Sequence, residues 1–474
     1  MFPIVHLATF EEAVDHVYRA KPARVSAAWL SLFYAVLAAG SLLGADAPLC
    51  RPGDLLESSR AMTSPWHNAP CLDHVRALLL TALCLYEMNV KSAAWAWLGS
   101  AVRAAQDLAL YCEPAAWPVV EAEMRRRTWW ALYVLDRAMA ADLGHPCLIN
   151  DADCDVALPA AVDDHFLRPD GPHVPPDAEP LTHSLLAVIH VVRCHAPLLD
   201  AMDHCALSPA QLAAFDDHLR KCLATFPPAC DLASPVPLAP HLLAPLAHLL
   251  HTRLLLHRHN LSPAAGPDAR LAALELCTRV ALDTASLLVR TKAPADAATA
   301  LLVAHLFRCA LFLLLTGHVD PALLCLRALA AMDPRRDHAA KAGRFLSFFV
   351  YTLAAKRVEH AAYLSRRHAL DPPALLMSLA RDEELLVYVS ADMQAWPRHS
   401  WLWPAAEGPD AMDDPTDSST RSSALSPLDH GLYSSDLPAA LADDDRRDWG
   451  GWSPAPSSPR LRPPPSPSPS SHHH

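Results

Sequence analysis

Three aspartates at alternate positions are the first residues in the chain whose type and spacing could bind a metal ion. Asp151, Asp153 and Asp155 lie in the run DADCD, and carboxylate oxygens are the ligands that Ca²⁺ prefers. An EF-hand loop that started at Asp151 would need glycine at its sixth position and glutamate at its twelfth. Valine stands at both, as Val156 and Val162. The spacing therefore argues against an EF-hand calcium site.

The same aspartates, with Asp163 and Asp164, leave an enzymatic alternative open. A helical enzyme of the terpenoid-synthase type binds Mg²⁺-diphosphate through carboxylates aligned on a helix that faces a cavity, with a second ligand cluster across it. Here Leu158-Pro159 places the aspartate run on a loop, and the sequence has no second cluster. An all-α metal-dependent enzyme stays the alternative function, while we expect the chain not to be an enzyme.

Histidines crowd one predicted helical region and could suggest a second kind of metal site. His248 and His251 are three residues apart and share a helix face, but a metal site would need a third ligand held at a fixed geometry. Because the chain has 27 histidines, chance clustering on a half-buried helix explains the group better. The crowded histidines are His241, His248, His251, His257 and His259. We expect no catalytic residue, no metal and no cofactor in this chain.

Composition and missing motifs exclude several further classes. The 474 residues include only 13 glycines, with no G-x-G-x-x-G and no phosphate-binding G-x-x-x-x-G-K-[ST] motif, and neither G-x-S-x-G nor H-E-x-x-H occurs. The net charge of −12 is opposite to that of a phosphate-binding surface. The chain alone should therefore not bind DNA well. Its 13 cysteines include no C-x-x-C pair and its first residues are not a signal sequence, which indicates a reduced intracellular compartment.

The helix that precedes the aspartates is expected to be buried. It begins after Pro118 and ends near Gly144, because glycine favours the helix C-terminus and His145-Pro146 prevents continuation. Its apolar residues cover nearly the whole circumference, which is typical of a buried helix. These residues are Trp129, Trp130, Leu132, Tyr133, Val134 and Leu135.

Three consecutive arginines, Arg125 to Arg127, lie near the start of this helix. An acidic loop, Asp151 to Asp155, follows the helix, so we expect the triplet to dock onto that loop and neutralise it. Glu123 and Arg127 also form an i,i+4 pair. The arginine triplet could also be interpreted as a patch that binds nucleic acid. This interpretation is weaker, because the triplet lies next to Trp129-Trp130 and the chain has a net negative charge.

The rest of the body is predicted to be helical, because apolar residues recur every three or four positions. Residues 75–90 and 95–110 form a predicted helical hairpin. Ser208-Pro209-Ala210-Gln211 combines an N-cap hydroxyl, a proline and a glutamine, which predicts a helix to about Phe226. Further helices are predicted over 181–200, 241–259, 269–290, 297–317, 321–332, 339–366 and 372–390. No convincing run of strands occurs, so the predicted fold class is all-α.

One apolar stretch supports a third hypothesis, a membrane-attached helical protein. Residues 26–45 carry no charge and include Gly40 and Gly44 in a G-x-x-x-G spacing. A helix inside a large bundle has the same composition, so we expect a core helix and no membrane. Exposure of all four large side chains of this stretch would favour the membrane instead: Trp29, Leu32, Phe33 and Leu37.

After about Trp403 the composition changes to Pro, Ser and Asp. Residues 404–474 hold 11 acidic residues against 5 arginines, a net charge of −6. Such a segment cannot bury enough apolar surface to fold, so we expect a multi-helix domain over 1–403 and a disordered acidic tail over 404–474. Residues 429–452 mix aspartates with Leu, Tyr and Trp, as activation segments do, although an inert solvated tail stays the simpler interpretation.

The stretch Glu121 to Phe166 resembles the middle homology region, or fungal-specific transcription factor domain, of fungal binuclear zinc-cluster regulators in the xylanolytic-activator-like group. Six elements of the family keep their order and spacing. They are Glu123, the arginines Arg125, Arg126 and Arg127, the pair Trp129-Trp130, Asp136-Arg137, Gly144 with Pro146, and Asp151, Asp153 and Asp155 before Leu158-Pro159. His145 departs from the family's usual arginine, so an ion pair there should be weaker or pH-dependent.

A preceding helix agrees with this resemblance. Trp95, Gly99 and Arg103 match a family helix that usually ends in Gly-Leu-His, whereas Ala109 and Tyr111 replace that Gly and His. The resemblance is strong over residues 1–166, is only a general helical pattern to about 400, and is absent beyond.

The resemblance implies a regulatory domain of a nuclear fungal transcription factor that controls RNA polymerase II transcription. The family binds DNA through a zinc cluster of six cysteines, and that cluster is missing from this chain; loss of an upstream segment is the favoured explanation, and a natural regulator without the cluster the other. Zinc would belong only to that missing cluster. The implied partners are the transcription machinery or co-regulators, a small-molecule inducer in an interior cavity, and a second copy of the chain.

Overall fold

A computed structural model describes residues 2–19, 25–43, 50–63, 70–113, 117–168, 170–173, 182–202, 206–332 and 339–390. The described chain is all-α, as predicted, with sixteen helices. Two short strands, β1 (Leu167–Arg168) and β2 (Gly171–Pro172), pair antiparallel and are a small exception to the expected absence of strands. The predicted tail, 404–474, and the boundary before it lie outside the described residues.

Six helices make up the N-terminal part. They are α1 (Leu7–Arg19), α2 (Ala27–Leu43), α3 (Pro52–Ala61), α4 (Leu72–Glu87), α5 (Lys91–Asp107) and α6 (Val119–Leu143). Helices α4 and α5 form the predicted hairpin, which turns at Asn89 with φ 61°. Apolar side chains of α2, α4, α5 and α6 meet in one core, in which Val75, Leu98 and Tyr133 are fully buried.

Ten further helices follow. They are α7 (His183–Val192), α8 (His195–Met202), α9 (Pro209–Ala224), α10 (Pro240–Arg258), α11 (Pro267–Arg290), α12 (Ala300–Thr316), α13 (Val319–Met332), α14 (Ala339–Ser365), α15 (Pro372–Leu379) and α16 (Glu383–Ser390). A second core is centred on α10, α11 and α12, where Leu246, Cys277 and Phe312 have no solvent exposure. Helix α12 is apolar on nearly all sides, and it is therefore buried over most of its length.

Helix α7 contributes to both cores. Leu185 and Ile189 pack in the N-terminal core, while Val191 packs in the second. The start of α12 makes another connection, because the backbone N–H of Ala300 donates to a carboxylate oxygen of Glu87 at the end of α4, at 2.8 Å. Both groups are buried, and buried polar groups in proteins are nearly always hydrogen-bonded in this way.

The helix predictions hold with local differences. The helix predicted over 181–200 is interrupted at Arg193-Cys194, and the one over 372–390 is interrupted between Leu379 and Glu383. Helices α1 and α3 were not predicted. The capping box of α9 is confirmed, since the Ser208 hydroxyl accepts from the Gln211 N–H and the Gln211 side chain accepts from the Ser208 N–H.

Helix α2 lies within the apolar stretch 26–45, and its large side chains do not all face solvent. Leu32 is 1% exposed, whereas Leu37 is 42% exposed. Trp29 and Phe33 are half-buried and stack on each other with ring centroids 5.4 Å apart. The condition set for the membrane hypothesis is therefore not met in α2. A different stretch, His183–Met202, has the length and composition of a membrane span, and 44% of it is buried within the protein.

Candidate functional site

Helix α6 carries most of the residues singled out from the sequence, and it is buried as expected. Trp129 and Trp130 are 1% and 2% exposed, and Tyr133 is fully covered. The helix ends at Gly144, whose φ of 65° is the left-handed conformation that glycine adopts without strain. Pro146 then lies exposed in the loop. The tryptophan pair therefore belongs to the core and presents no surface for a partner.

Arg127 is the most fully engaged of the three consecutive arginines. Its side chain has no solvent exposure, and it donates to Glu123 at 2.9 Å, to Asp164 at 2.7 Å and to the Val162 carbonyl at 2.7 Å. Glu123 also accepts the backbone N–H of Ala160 at 3.0 Å. A buried guanidinium needs this degree of pairing, because an uncompensated charge in the interior is costly.

The expectation that all three arginines dock onto the loop 151–155 is wrong. Arg125 donates to the carbonyl of Leu108 and lies over the ring of Trp117 at 4.3 Å. Arg126 pairs with Glu113. Successive residues of a helix point in directions about 100° apart, so three neighbours cannot reach one loop. Only Arg127 reaches an aspartate, and that aspartate is Asp164.

The loop 147–151 is held by Asp136 and Arg137 instead. The Asp136 carboxylate accepts the backbone N–H groups of Leu148 and Ile149 and pairs with Arg137 at 2.8 Å. Arg137 donates to the Ile149 carbonyl at 2.7 Å and lies 3.2 Å from Asp151. Burial raises the pKa of the Asp136 carboxyl, and the two N–H groups and Arg137 oppose this shift. Asp136 and Arg137 are both fully buried.

Asp151 is the one aspartate of the alternating run that makes side-chain contacts to α6. It accepts the hydroxyl of Tyr133 in addition to its pairing with Arg137. Burial, and after it the hydrogen bond to Asp151, raises the pKa of Tyr133. Asp151 to Asp153 form a short 3₁₀ turn within the loop that was predicted from the sequence. Asp153 and Asp155 are exposed and make no ion pair with any described residue.

The end of the loop is fixed by hydrogen bonds to backbone carbonyls. The indole N–H of Trp130 donates to the Ala157 carbonyl at 2.8 Å. The Tyr111 carbonyl accepts the backbone N–H groups of Asp155 and Val156. Leu158 packs against the N-terminal core and Pro159 is buried. We use the name α6 latch for the side chains that tie α6 to residues 147–164: Glu123, Arg127, Trp130, Tyr133, Asp136 and Arg137.

The remaining signature positions lie outside the latch. On α5, Trp95 packs partly buried against the core, Gly99 is half-buried, and Arg103 is exposed and donates to Gln106 at 3.0 Å. His145, where an ion pair was expected to be weaker, is exposed and its ring lies 5.2 Å from that of Trp95.

The histidines of α10 lie in different surroundings, and His241 is exposed. His257 lies 3.1 Å from Asp216. Burial lowers the pKa of His248 to about 3 and that of His251 well below its usual value. Across the described parts of the chain, no three His, Cys, Asp or Glu side chains are grouped so that they could hold a metal ion.

Comparison with known proteins bears on the N-terminal part. Residues 1–183 match the model of the fungal specific transcription factor domain. This part of the chain is therefore similar to that domain. The match contains α1 to α6 and the α6 latch, and it confirms the resemblance found in the sequence.

Several relatives of the chain have names that describe transcription regulators. A transcriptional regulatory protein of Schizosaccharomyces pombe is 28% identical over 147 residues, which are 29% of this chain and 19% of the relative. The C6 finger domain transcription factor hasF of Aspergillus fumigatus is 30% identical over 138 residues, 27% of this chain and 18% of the relative. The chain thus matches about a fifth of each relative's length. No solved structure matches it.

Two acidic residues that pair with arginines of α6 were missed by sequence reasoning. Glu113, in the loop between α5 and α6, pairs with Arg126 and accepts the N–H of Ala157 at 3.0 Å. Asp164, which was considered only as a metal ligand, accepts the N–H of Leu7 and pairs with Arg127. The loop position of Glu113 gives no periodic signal, so only the fold could identify it.

Proposed function

We propose that this chain is the regulatory part of a nuclear fungal transcription regulator that controls RNA polymerase II transcription. The observation that carries the proposal is the match of residues 1–183 to the fungal specific transcription factor domain. Relatives named as transcriptional regulators support it. DNA binding would come from a zinc cluster outside this chain, which is consistent with the net charge of −12.

In this proposal the α6 latch keeps the domain in one shape and performs no chemistry. Its charged groups already have protein partners: Arg127 has three acceptors, and Asp136 has two backbone N–H groups and Arg137. Groups that are satisfied inside a protein cannot bind a substrate without breaking these bonds. The signature residues are therefore assigned a structural role, and the chain is proposed to be non-catalytic and to hold no cofactor.

In this proposal the chain functions through the surfaces that bind other molecules. Co-regulators or the transcription machinery are the proposed protein partners, and a second copy of the chain is a further one. A small-molecule inducer would act by binding one arrangement of the helices better than another, since a ligand shifts an equilibrium only by its difference in affinity.

A reporter assay tests the proposal. The chain is fused to an unrelated DNA-binding domain in yeast, and transcription from a matching promoter is measured at equal protein abundance. We expect the fusion to change reporter output relative to the DNA-binding domain alone. The variant R137M, which removes a buried latch residue, should alter that output, whereas R103A, at an exposed position of α5, should not. Output equal to that of the DNA-binding domain alone would contradict the proposal.

A further inference from the structure

A cavity of about 570 Å³ lies among the N-terminal helices. Residues of α1, α2, α4 and the first two turns of α6 line it, together with chain segments that precede these helices. This volume is within the range of about 300–1,000 Å³ that is usual for small-molecule sites. The lining residues that matter here are His6, Phe10, Trp29, Asp73, Arg76 and Glu121.

One wall of the cavity is aromatic. The rings of Phe10 and Trp29 have centroids 5.8 Å apart, and Trp29 also stacks on Phe33. A flat ring packs on such a wall by offset or edge-to-face stacking, which stabilises it beyond the burial of its area. Leu32 and Leu72 provide apolar surface elsewhere in the lining. The cavity can therefore hold an aromatic body.

The charged side chains of the lining are compensated within the protein. Arg76 pairs with Asp73 at 3.0 Å, three residues earlier in α4. Burial lowers the pKa of Arg76, and the carboxylates of Asp73 and Glu121 oppose this shift. Glu121 also opposes the effect of burial on the pKa of Arg125, so its charge interacts with two guanidinium groups. A charged ligand would have to leave water without an unpaired opposite charge to receive it. The lining therefore favours an uncharged ligand.

Two buried polar atoms of the lining have no hydrogen-bond partner among the described residues, Nε2 of His6 and Nε of Arg76. Nε of an arginine can only donate. The Thr9 hydroxyl donates to the His6 carbonyl at 3.0 Å, so its oxygen is left to accept from Nδ1 of His6 at 3.2 Å. A neutral imidazole that donates through Nδ1 accepts through Nε2. The lining therefore offers one donor and one acceptor, and a hydroxyl group has the matching acceptor and donor.

We propose that this cavity binds an uncharged aromatic molecule that carries a hydroxyl group, with its ring against Phe10 and Trp29 and its hydroxyl beside His6 and Arg76. The proposal rests on the proposed function and deepens it, because it assigns a chemical class to the inducer.

Helix α1 connects this cavity to the α6 latch. The backbone N–H of Leu7, the first residue of α1, donates to a carboxylate oxygen of Asp164 at 2.8 Å. The other oxygen of Asp164 accepts from Arg127 at 2.7 Å. A ligand that packs against Phe10 would therefore contact a helix whose first residue shares a carboxylate with the latch.

Isothermal titration calorimetry on the purified full chain near neutral pH tests this proposal with four probes that share a naphthalene ring. They are 2-naphthylmethanol, its methyl ether, 2-naphthylmethylammonium and 2-naphthoate. We expect the alcohol to bind about tenfold more tightly than either charged probe, because neither charge would find an unpaired partner. The ether accepts a hydrogen bond but cannot donate one, so it should bind about fivefold more weakly than the alcohol.

A substitution in the lining and a matched control assign this preference to His6. H6F removes Nε2 and keeps an aromatic ring, so the alcohol and the ether should bind this variant equally. H16F makes the same change at an exposed position of α1, and it should leave all four affinities unchanged. Circular dichroism should show the same helical content in both variants.

Several outcomes would overturn the proposal. On the unaltered chain these are no binding of the alcohol at millimolar concentration, equal binding of the alcohol and the ether, or a charged probe that binds as tightly as the alcohol. An H6F chain that still prefers the alcohol to the ether would overturn it as well. Each comparison is between probes on one chain, so partial loss of folding would lower all affinities together. The reporter assay uses none of these probes, so either proposal can fail alone.

Discussion

Arg127 is the residue of α6 whose replacement should destabilise the domain most directly. In R127M the carboxylate of Glu123, itself 2% exposed, loses its buried cation, and the Val162 carbonyl loses a donor. Removal of one partner of a buried ion pair costs about 3–5 kcal/mol. We expect the free energy of unfolding to fall by about that amount, measured by urea denaturation followed by circular dichroism.

A matched change at an exposed arginine separates loss of pairing from loss of charge. Arg103 lies on the surface of α5 with Gln106 as its partner, and R103M should change stability by less than about 0.5 kcal/mol. Similar losses in R103M and R127M would show that the buried pairing is not what stabilises α6.

The buried histidines predict how stability depends on pH. Burial lowers the pKa of His195 to about 4 and that of His305 to about 3, against about 6.5 in an unfolded chain. His195 Nδ1 donates to the carbonyl of Arg137, and Nε2 pairs with the Thr252 hydroxyl at 2.8 Å. Below pH 6.5 the unfolded chain binds protons that the folded chain does not bind, so stability falls as the pH falls from 6.5 toward 4.

The variant H195N isolates one of these groups. Between pH 7 and pH 5 a single buried histidine of this kind should cost about 2 kcal/mol. H195N should therefore lose about 2 kcal/mol less than the unaltered chain over that interval, whatever its stability at pH 7. The check is a pair of urea titrations at the two pH values. The same pH-dependent loss in both proteins would contradict the assignment of His195 as buried and neutral.

At the scale of the elements, two signature glycines should respond in opposite directions to alanine. Gly144 ends α6 with φ 65°, where a Cβ is strained, so G144A should cost about 1 kcal/mol. Gly99 is inside α5, and an added Cβ would meet no atom within 4 Å. G99A should therefore stabilise the chain by about 0.5–1 kcal/mol, because alanine favours the helix. Thermal denaturation of the two variants measures the direction of each change in stability. Destabilisation by G99A would show that Gly99 has a packing role.

The sequence predicted most of the helices because their ends carry local signals. Proline, capping residues and glycine fix where α6, α9 and α11 begin or end, so those bounds were predicted to within a few residues. Helix α1, which was not predicted, is different because none of its residues is buried. The interruption of 181–200 at Arg193-Cys194 is followed by Pro197, which cannot donate a hydrogen bond to the Arg193 carbonyl four residues earlier, so a local signal for this break is present in the sequence.

The ion pairs of α6 could be predicted only in part. The i,i+4 pair of Glu123 with Arg127 follows from helix geometry. The partners of Arg125 and Arg126, by contrast, are a carbonyl at the end of α5 and a loop glutamate, Glu113. These groups are brought close only by tertiary packing, and a rule about charge runs cannot identify them.

At the scale of the whole molecule, the family match and the structural core have different limits. The match ends at residue 183, which is the first residue of α7. Four side chains of α7 that fill the N-terminal core then lie beyond it, all with no exposure: Leu185, Val188, Ile189 and Val192. A chain cut at residue 183 leaves their positions open to water, which costs about 2 kcal/mol for each large apolar side chain.

A truncation series tests this difference. We expect residues 1–390 to unfold in a cooperative transition by calorimetry. Residues 1–183 should lack such a transition and should bind the dye ANS, which reports exposed apolar surface. Residues 1–202, which restore α7 and α8, should bind less ANS than 1–183. A sharp transition in the 1–183 fragment would show that the matched part is an independent folding unit.

The hydrogen bond between Glu87 and Ala300 joins groups 213 positions apart, and this separation has a consequence for biosynthesis. Ribosomes add about 5–20 residues each second, so the carboxylate leaves the exit tunnel roughly 10–40 s before the amide that will cap it. During that interval the nascent N-terminal half holds an acidic group without its final donor. It also lacks α7 at first, so the N-terminal core has open positions until residues 183–192 have been synthesised.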